Sequence, residues 1–246
     1  MSHIITNYSK FRPLVIFVHQ NTFLDSTYQN QNWTLLKTID DTLNSLINTN
    51  GKFLFFFVCI STFLLLLMKK NFIESEMAAF EVLESQGHGG AISLMNSLQY
   101  FSIPFIYFWK FTIISFMLWL GCFTFGFKID YGTLWKVSMV SELIFFVPEL
   151  LKIFYFIFLY PDPNLFEVRA YYPLSLMTLF DFQTIPSAWH YPLKALNIFE
   201  VVYCLLLIRG LQITIRKNPI HIRWLAISFY VIPFILWLGY YVIVYK

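Results

Sequence analysis

Charge is what this sequence has least of. Only 13% of its 246 residues are Asp, Glu, Lys or Arg, while 58% are hydrophobic. A typical soluble domain carries about 25% charged residues. A soluble fold of this length has no means of hiding so much apolar surface, so the excess is expected to face lipid. The net charge of +3 is too small to argue for nucleic acid. Cysteine is scarce as well. Cys59, Cys122 and Cys204 all sit inside apolar runs, with no CxxC or His-rich spacing. They read as small core hydrophobes rather than a disulfide set or a metal site, and no metal or cofactor is expected. Catalytic signatures are missing: there is no G-x-S-x-G, no HExxH and no P-loop. His190 lies near Asp181 and Ser187 in the sequence, but proximity of such common residues carries little weight. His88 is a lone loop histidine, which is ordinarily solvated. The chain therefore reads as non-enzymatic. Its first strongly apolar run begins near Phe53, too late for a cleavable signal peptide, so an internal segment is expected to drive insertion.

What the sequence has in abundance is apolar length. A spanning helix needs about 20 mostly apolar residues. Candidate runs fall at about 53–68, which is short but uninterrupted, and at 103–125, 134–159, 196–215 and 224–244. They predict an all-α membrane protein, a bundle of five transmembrane helices, with residues 1–52 as a cytoplasmic N-terminal region and 53–246 as the transmembrane domain. Lys110 falls inside the first half of the second run. Lys and Arg near span ends prefer the cytoplasm. The loop holding Arg216, Lys217 and Arg223 gives the clearest sign for an internal N-terminus and an external C-terminus, against Lys69 and Lys70 on the other side.

Two pieces outside the spans carry helical patterning. Trp33, Leu36, Ile39, Leu43, Leu46 and Ile47 recur at helical spacing, with Asp40, Asp41, Asn44 and Asn48 opposite. This amphipathic helix is expected to lie in the membrane interface, contact a partner or pack on the protein's own cytoplasmic face. Ile73, Met77, Phe80 and Leu83 form a second stripe, "QGHGG" breaks it, and Ile92, Met95 and Leu98 follow, predicting a helical hairpin between the first two spans. In residues 160–195, prolines cut the chain into short pieces, and a short non-spanning helix is expected over 174–180.

Five polar residues sit within the third and fourth runs: Glu142, Glu149, Lys152, Asn197 and Glu200. Charges in lipid are costly, so they are expected to face the bundle and pair. Helix geometry allows either a Lys152–Glu200 pair or a Glu149–Lys152 pair. They act either as a packing lock, as a path for an ion or proton, or as a dock for a partner helix. Pro148 and Pro233 are candidate kink sites.

The stretches "FGFKIDYGTLWKVSMVSELIFFVPELLK" (125–152) and "TLFDFQTIPSAWHYPLKALNIFEVVYCLLLIRGL" (178–211) resemble Yip1-domain proteins. The resemblance is carried by Gly126, Tyr131, Gly132, Trp135, Ser141, Pro148, Phe199, Glu200 and Gly210, and covers roughly 53–245. It implies a non-enzymatic integral membrane protein. Eukaryotic members are adaptors for small GTPases in vesicle traffic, but the short N-terminal region and the 71–98 insert depart from that pattern. The resemblance therefore implies a bacterial protein of the inner (cytoplasmic) membrane. The function expected is that of an accessory or scaffolding subunit of a membrane protein complex. Its partners would be the lipid bilayer and other membrane proteins, with no nucleic acid and no small-molecule substrate. The alternative is a small permease component or ion-coupled carrier using Glu142, Glu149 and Lys152.

Overall fold

The computed structural model describes residues 37–74, 89–160 and 165–245. The chain divides into two units, residues 1–45 and 46–246. Of the first, residues 37–45 are described; they are helical, and the helix (α1, 37–48) runs on to residue 48. Leu43 and Ile47 are buried on it, while Ile39, which spacing puts on the same stripe, is 48% exposed. Trp33 and Leu36 lie outside the described residues, as do His88 and the first arm of the expected hairpin.

The second unit is helical, with no strand among its described residues. Helix α2 (Gly51–Lys69) starts at Asn50, whose Oδ1 accepts from the Lys52 amide at 3.0 Å. A side chain satisfying an orphan amide fixes where the helix begins. It ends in a π turn, Lys70–Glu74. Helix α3 (Gly89–Thr124) is 36 residues long. The second arm expected for the hairpin is thus continuous with the following span. Helix α8 (Ile198–Ile215) is capped by Asn197 and α9 (Pro219–Ala226) by Asn218, with proline in its first turn, where no amide hydrogen bond is lost. A π turn, Ile227–Val231, joins α9 to α10 (Ile232–Val244).

Among the described residues, four segments are long and apolar enough to cross a membrane: Gly51–Ile73, Ser97–Thr124, Ile198–Ile215 and Pro219–Val244. The protein is an all-helical integral membrane protein. The remaining apolar run is built differently. Helix α4 (Tyr131–Glu142) passes through a 3-10 turn (Leu143–Phe145) into α5 (Phe146–Phe154) and a π turn (Tyr155–Leu159). Pro148 explains the tightening. It has no N–H for the Ile144 carbonyl, and its ring crowds that turn.

Helix α4 is central: Leu134 and all six residues from Val137 to Glu142 are buried. Against α3, the Ser115 and Ser138 hydroxyls lie 3.2 Å apart, and Trp135 packs edge-on against Phe108 and Phe111. Against α2, Trp135 stacks on Phe55 at 5.7 Å. Against α8, the packing is tight at Gly210, where an added Cβ would lie 2.8 Å from Val137 Cγ1. Ser138 and Ser141 donate back to the Leu134 and Val137 carbonyls, so their hydroxyls are satisfied inside the helix itself.

Residues 165–196 form a cap of short elements: α6 (Leu165–Ala170), a 3-10 turn (Leu176–Leu179) and α7 (Ser187–Ala195). The 3-10 turn falls inside the stretch where a short non-spanning helix is expected. The cap is stitched to α8 by an antiparallel bridge between Ser175 and Asn197. There the Leu176 amide donates to the Leu196 carbonyl at 3.0 Å, and the Ile198 amide to the Leu174 carbonyl at 3.1 Å.

Candidate functional site

The polar residues of the bundle interior fall into two groups. The first is centred on Glu142, the last residue of α4, which is 2% exposed. Lys110, midway along the Ser97–Thr124 segment of α3, donates from Nζ to Glu142 Oε1 at 2.6 Å. The same ammonium lies 4.9 Å from the ring centroid of Phe145. A cation over an aromatic face is attracted by the ring quadrupole, most strongly where water is excluded. From Phe145 the contacts continue to Tyr203 on α8, with ring centroids 5.2 Å apart, and from Tyr203 to Tyr230 in the π turn at 5.3 Å. Tyr230 then donates its hydroxyl to Glu200 Oε1 at 2.6 Å. Asn197 Oδ1 accepts from the Glu200 amide at 2.9 Å, which fixes the first turn of α8.

The result is a chain of side chains running Lys110–Glu142, Phe145, Tyr203, Tyr230, Glu200. Two atoms within it stand out. Glu142 Oε2 and the Tyr203 hydroxyl are buried and find no hydrogen-bond partner among the described residues. A buried polar atom left unsatisfied costs on the order of 1–3 kcal/mol, so a native fold retains few of them.

The second group lies at the other end of the α4–α5 segment. Lys152 is buried, and its Nζ donates to the Val168 carbonyl of α6 at 2.6 Å. Glu149, half-buried one turn before it, is close enough to act electrostatically on Tyr172. Beside it, Ile153 and Phe156 join Ile73 and Val168 in a small apolar cluster.

The structure therefore brings Asn197 and Glu200 together, and Glu142 into the same side-chain chain as Glu200. It gives Lys152 and Glu200 separate partners: among the described residues, they form no ion pair with each other. Sequence reasoning missed Lys110 as the counter-charge of Glu142, and the tyrosines that link the two carboxylates. The signal for Lys110 was present, as a lone cation deep in an apolar run. Tyr203 and Tyr230 were hidden among the 15 tyrosines of the chain.

His190 is held in the cap. Its Nε2 lies 3.1 Å from the Phe182 carbonyl and 3.0 Å from that of Ile185, and its ring stacks on Phe182. Cys59, Cys122 and Cys204 are free thiols. The chain matches no protein-family model, no characterised protein and no solved structure.

Proposed function

We propose that this protein is a non-enzymatic accessory or scaffolding subunit of a membrane complex, with α3 as the face that meets its partner. One observation carries the reading. The Lys110 side chain is 39% exposed while its partner Glu142 is 3% exposed, and the pair sits at mid-span. Ile106 and Ile113, one turn away on either side, and Trp109 are 59%, 44% and 67% exposed. A charge at the bilayer centre costs about 2.5–3.5 kcal/mol on insertion scales, and such groups ordinarily face protein or water. A neighbouring membrane protein packed on this face would remove the half-open ammonium from hydrocarbon.

The architecture that goes with this reading has five crossings. Helix α4 begins beside the start of α2, where Gly51 approaches Lys136 and Met139. The α5 segment ends beside the end of α2, where Ile73 packs with Ile153 and Phe156. Residues 131–159 thus accompany an apolar span from end to end, shielded by it and by α3 and α8. The residues that carry the likeness to Yip1-domain proteins include contact positions: Trp135, Pro148 and Gly210. We propose membership of that family and a bacterial inner-membrane location on the sequence likeness alone, and an internal N-terminus on the Arg216, Lys217 and Arg223 loop.

The test is photocrosslinking in native membranes from probes at Trp109 and Ile113, with Leu236, 67% exposed on α10, as the comparison position. Adducts of one discrete mass from the two α3 positions, absent from Leu236 and lost in Lys110→Leu, are expected. Lipid adducts alone at all three positions would sink the reading. A second reading, an ion-coupled carrier acting through Glu142, is favoured by the unpartnered Glu142 Oε2 and Tyr203 hydroxyl. Proton flux in proteoliposomes that disappears in Glu142→Gln would select it over the first.

A further inference from the structure

The cap contains a cleft of about 560 Å³ whose walls are aromatic and whose charged groups are acidic. One wall is a cluster of four rings. Tyr155 and Tyr171 stack with centroids 4.3 Å apart and 11° between planes, and Tyr160 lies parallel to Tyr155 at 6.4 Å. Phe156 stands edge-on to both Tyr171 and Tyr160. Phe180 and Phe182 line the same cleft. Phe180 is 54% exposed, and Phe182 is fixed by its stack on His190 at 4.0 Å. The charged residues among the described lining are Glu167 and Asp181. Glu167 Oε1 accepts from the Tyr160 hydroxyl at 3.1 Å, which ties a carboxylate to the aromatic wall.

We propose that this cleft binds an alkylammonium group, the chemistry shared by a choline-type lipid headgroup and a free quaternary amine. The exposed Phe180 ring and the tyrosine wall bring aromatic quadrupoles to the cleft, where they attract a cation, and two carboxylates complement its charge. A neutral apolar ligand would gain nothing from Glu167 and Asp181, and an anion would be repelled by them. Burial, then the neighbouring Tyr155, pushes the Tyr171 phenol above its ordinary value, so that ring stays uncharged. A cationic group sits just outside the cleft. Lys194 lies 5.2 Å from the centroid of Phe182, and its Nζ donates to the Arg169 carbonyl. Lys69 and Arg169 both act on it electrostatically. A zwitterionic headgroup would therefore meet acidic and aromatic groups at its amine end and basic groups at its phosphate end. Tyrosine-rich surfaces settle at the headgroup level of a bilayer, and the π turn that supplies Tyr155 closes a long apolar segment at that edge.

The experiment is calorimetric titration of the full chain in a maltoside detergent. The probes are choline chloride, short-chain dihexanoyl phosphatidylcholine below its micelle concentration, and dihexanoyl phosphatidylglycerol. Saturable binding of choline or the phosphatidylcholine, with none of the phosphatidylglycerol, is expected. Choline binding as tightly as the lipid assigns the site to a free amine. A lipid bound about tenfold more tightly, with that margin lost in Lys194→Gln, assigns it to the headgroup. Tyr171→Leu and Glu167→Gln should each weaken binding about tenfold, while Tyr171→Phe, which keeps the ring face, should stay within about twofold. Phe180→Leu, at an exposed position that folding tolerates, carries the same expectation should Tyr171→Leu fail to fold. No saturation by either amine, equal binding of the phosphatidylglycerol, or affinities unchanged in Phe180→Leu and Glu167→Gln would overturn the proposal.

Discussion

Lys110 and Glu142 show how an ion pair behaves at the wall of a helical bundle. The 2.6 Å contact joins a carboxylate that is 3% exposed to an ammonium that is 39% exposed, so the two partners are not equivalent. Removing Lys110 leaves a buried carboxylate with no counter-charge. Removing both leaves an apolar contact. Breaking a buried pair from one side costs on the order of 3–5 kcal/mol, and replacing the whole pair by apolar groups is often neutral. The partial exposure of Lys110 puts this pair at the lower end. Lys110→Met should destabilise by about 3 kcal/mol in detergent unfolding, and Lys110→Met with Glu142→Leu should recover most of that loss. A double variant no more stable than Lys110→Met would show that the pair does not lock the bundle. Such pairing was only half legible in the sequence. Glu142 was visible as a carboxylate that needed a partner. Which cation it finds depends on how far α3 slides along α4, and no local pattern near either residue encodes that register.

At the scale of the element, the close helix contacts depend on glycine. Lipid offers no hydrophobic drive for helices to associate, so tight backbone approach and dispersion do that work in membranes. At Gly210 an added Cβ would come within 2.8 Å of Val137, whose branched side chain has little rotamer freedom. At Gly239 a Cβ would meet nothing within 4 Å. Gly210→Ala is therefore expected to destabilise by about 1–3 kcal/mol through overpacking, Gly239→Ala to leave stability unchanged, and Val137→Ala to rescue Gly210→Ala. Thermal unfolding of the four proteins checks this; equal midpoints for Gly210→Ala and Gly239→Ala would contradict the packing described. The four apolar helices were plain in the hydropathy of the chain. Their first turns were less so: the structure starts three of them at Gly51, Ile198 and Pro219 because Asn50, Asn197 and Asn218 cap them, a signal that hydropathy does not weigh. The break at 143–145 follows from Pro148, a residue readable in the sequence.

For the whole molecule, the α4–α5 segment decides the topology. If it crosses the bilayer, the 125–130 connection and the cap lie on opposite sides; if it does not, they lie on one side. In a chain whose three cysteines have been replaced, single cysteines at Lys128 and Gln183, both exposed, give the answer. A membrane-impermeant maleimide applied to intact cells should reach Gln183→Cys and spare Lys128→Cys. Labelling of both, or of neither, would return the count to four crossings.

Asn197 ties the cap to the first turn of α8. Its side chain accepts from the Glu200 amide and donates to the Lys194 and Ala195 carbonyls, while its backbone faces Ser175 across the bridge. One asparagine is thus a rivet through three plates: the Ser175 edge of the cap, the end of α7 and the first turn of α8.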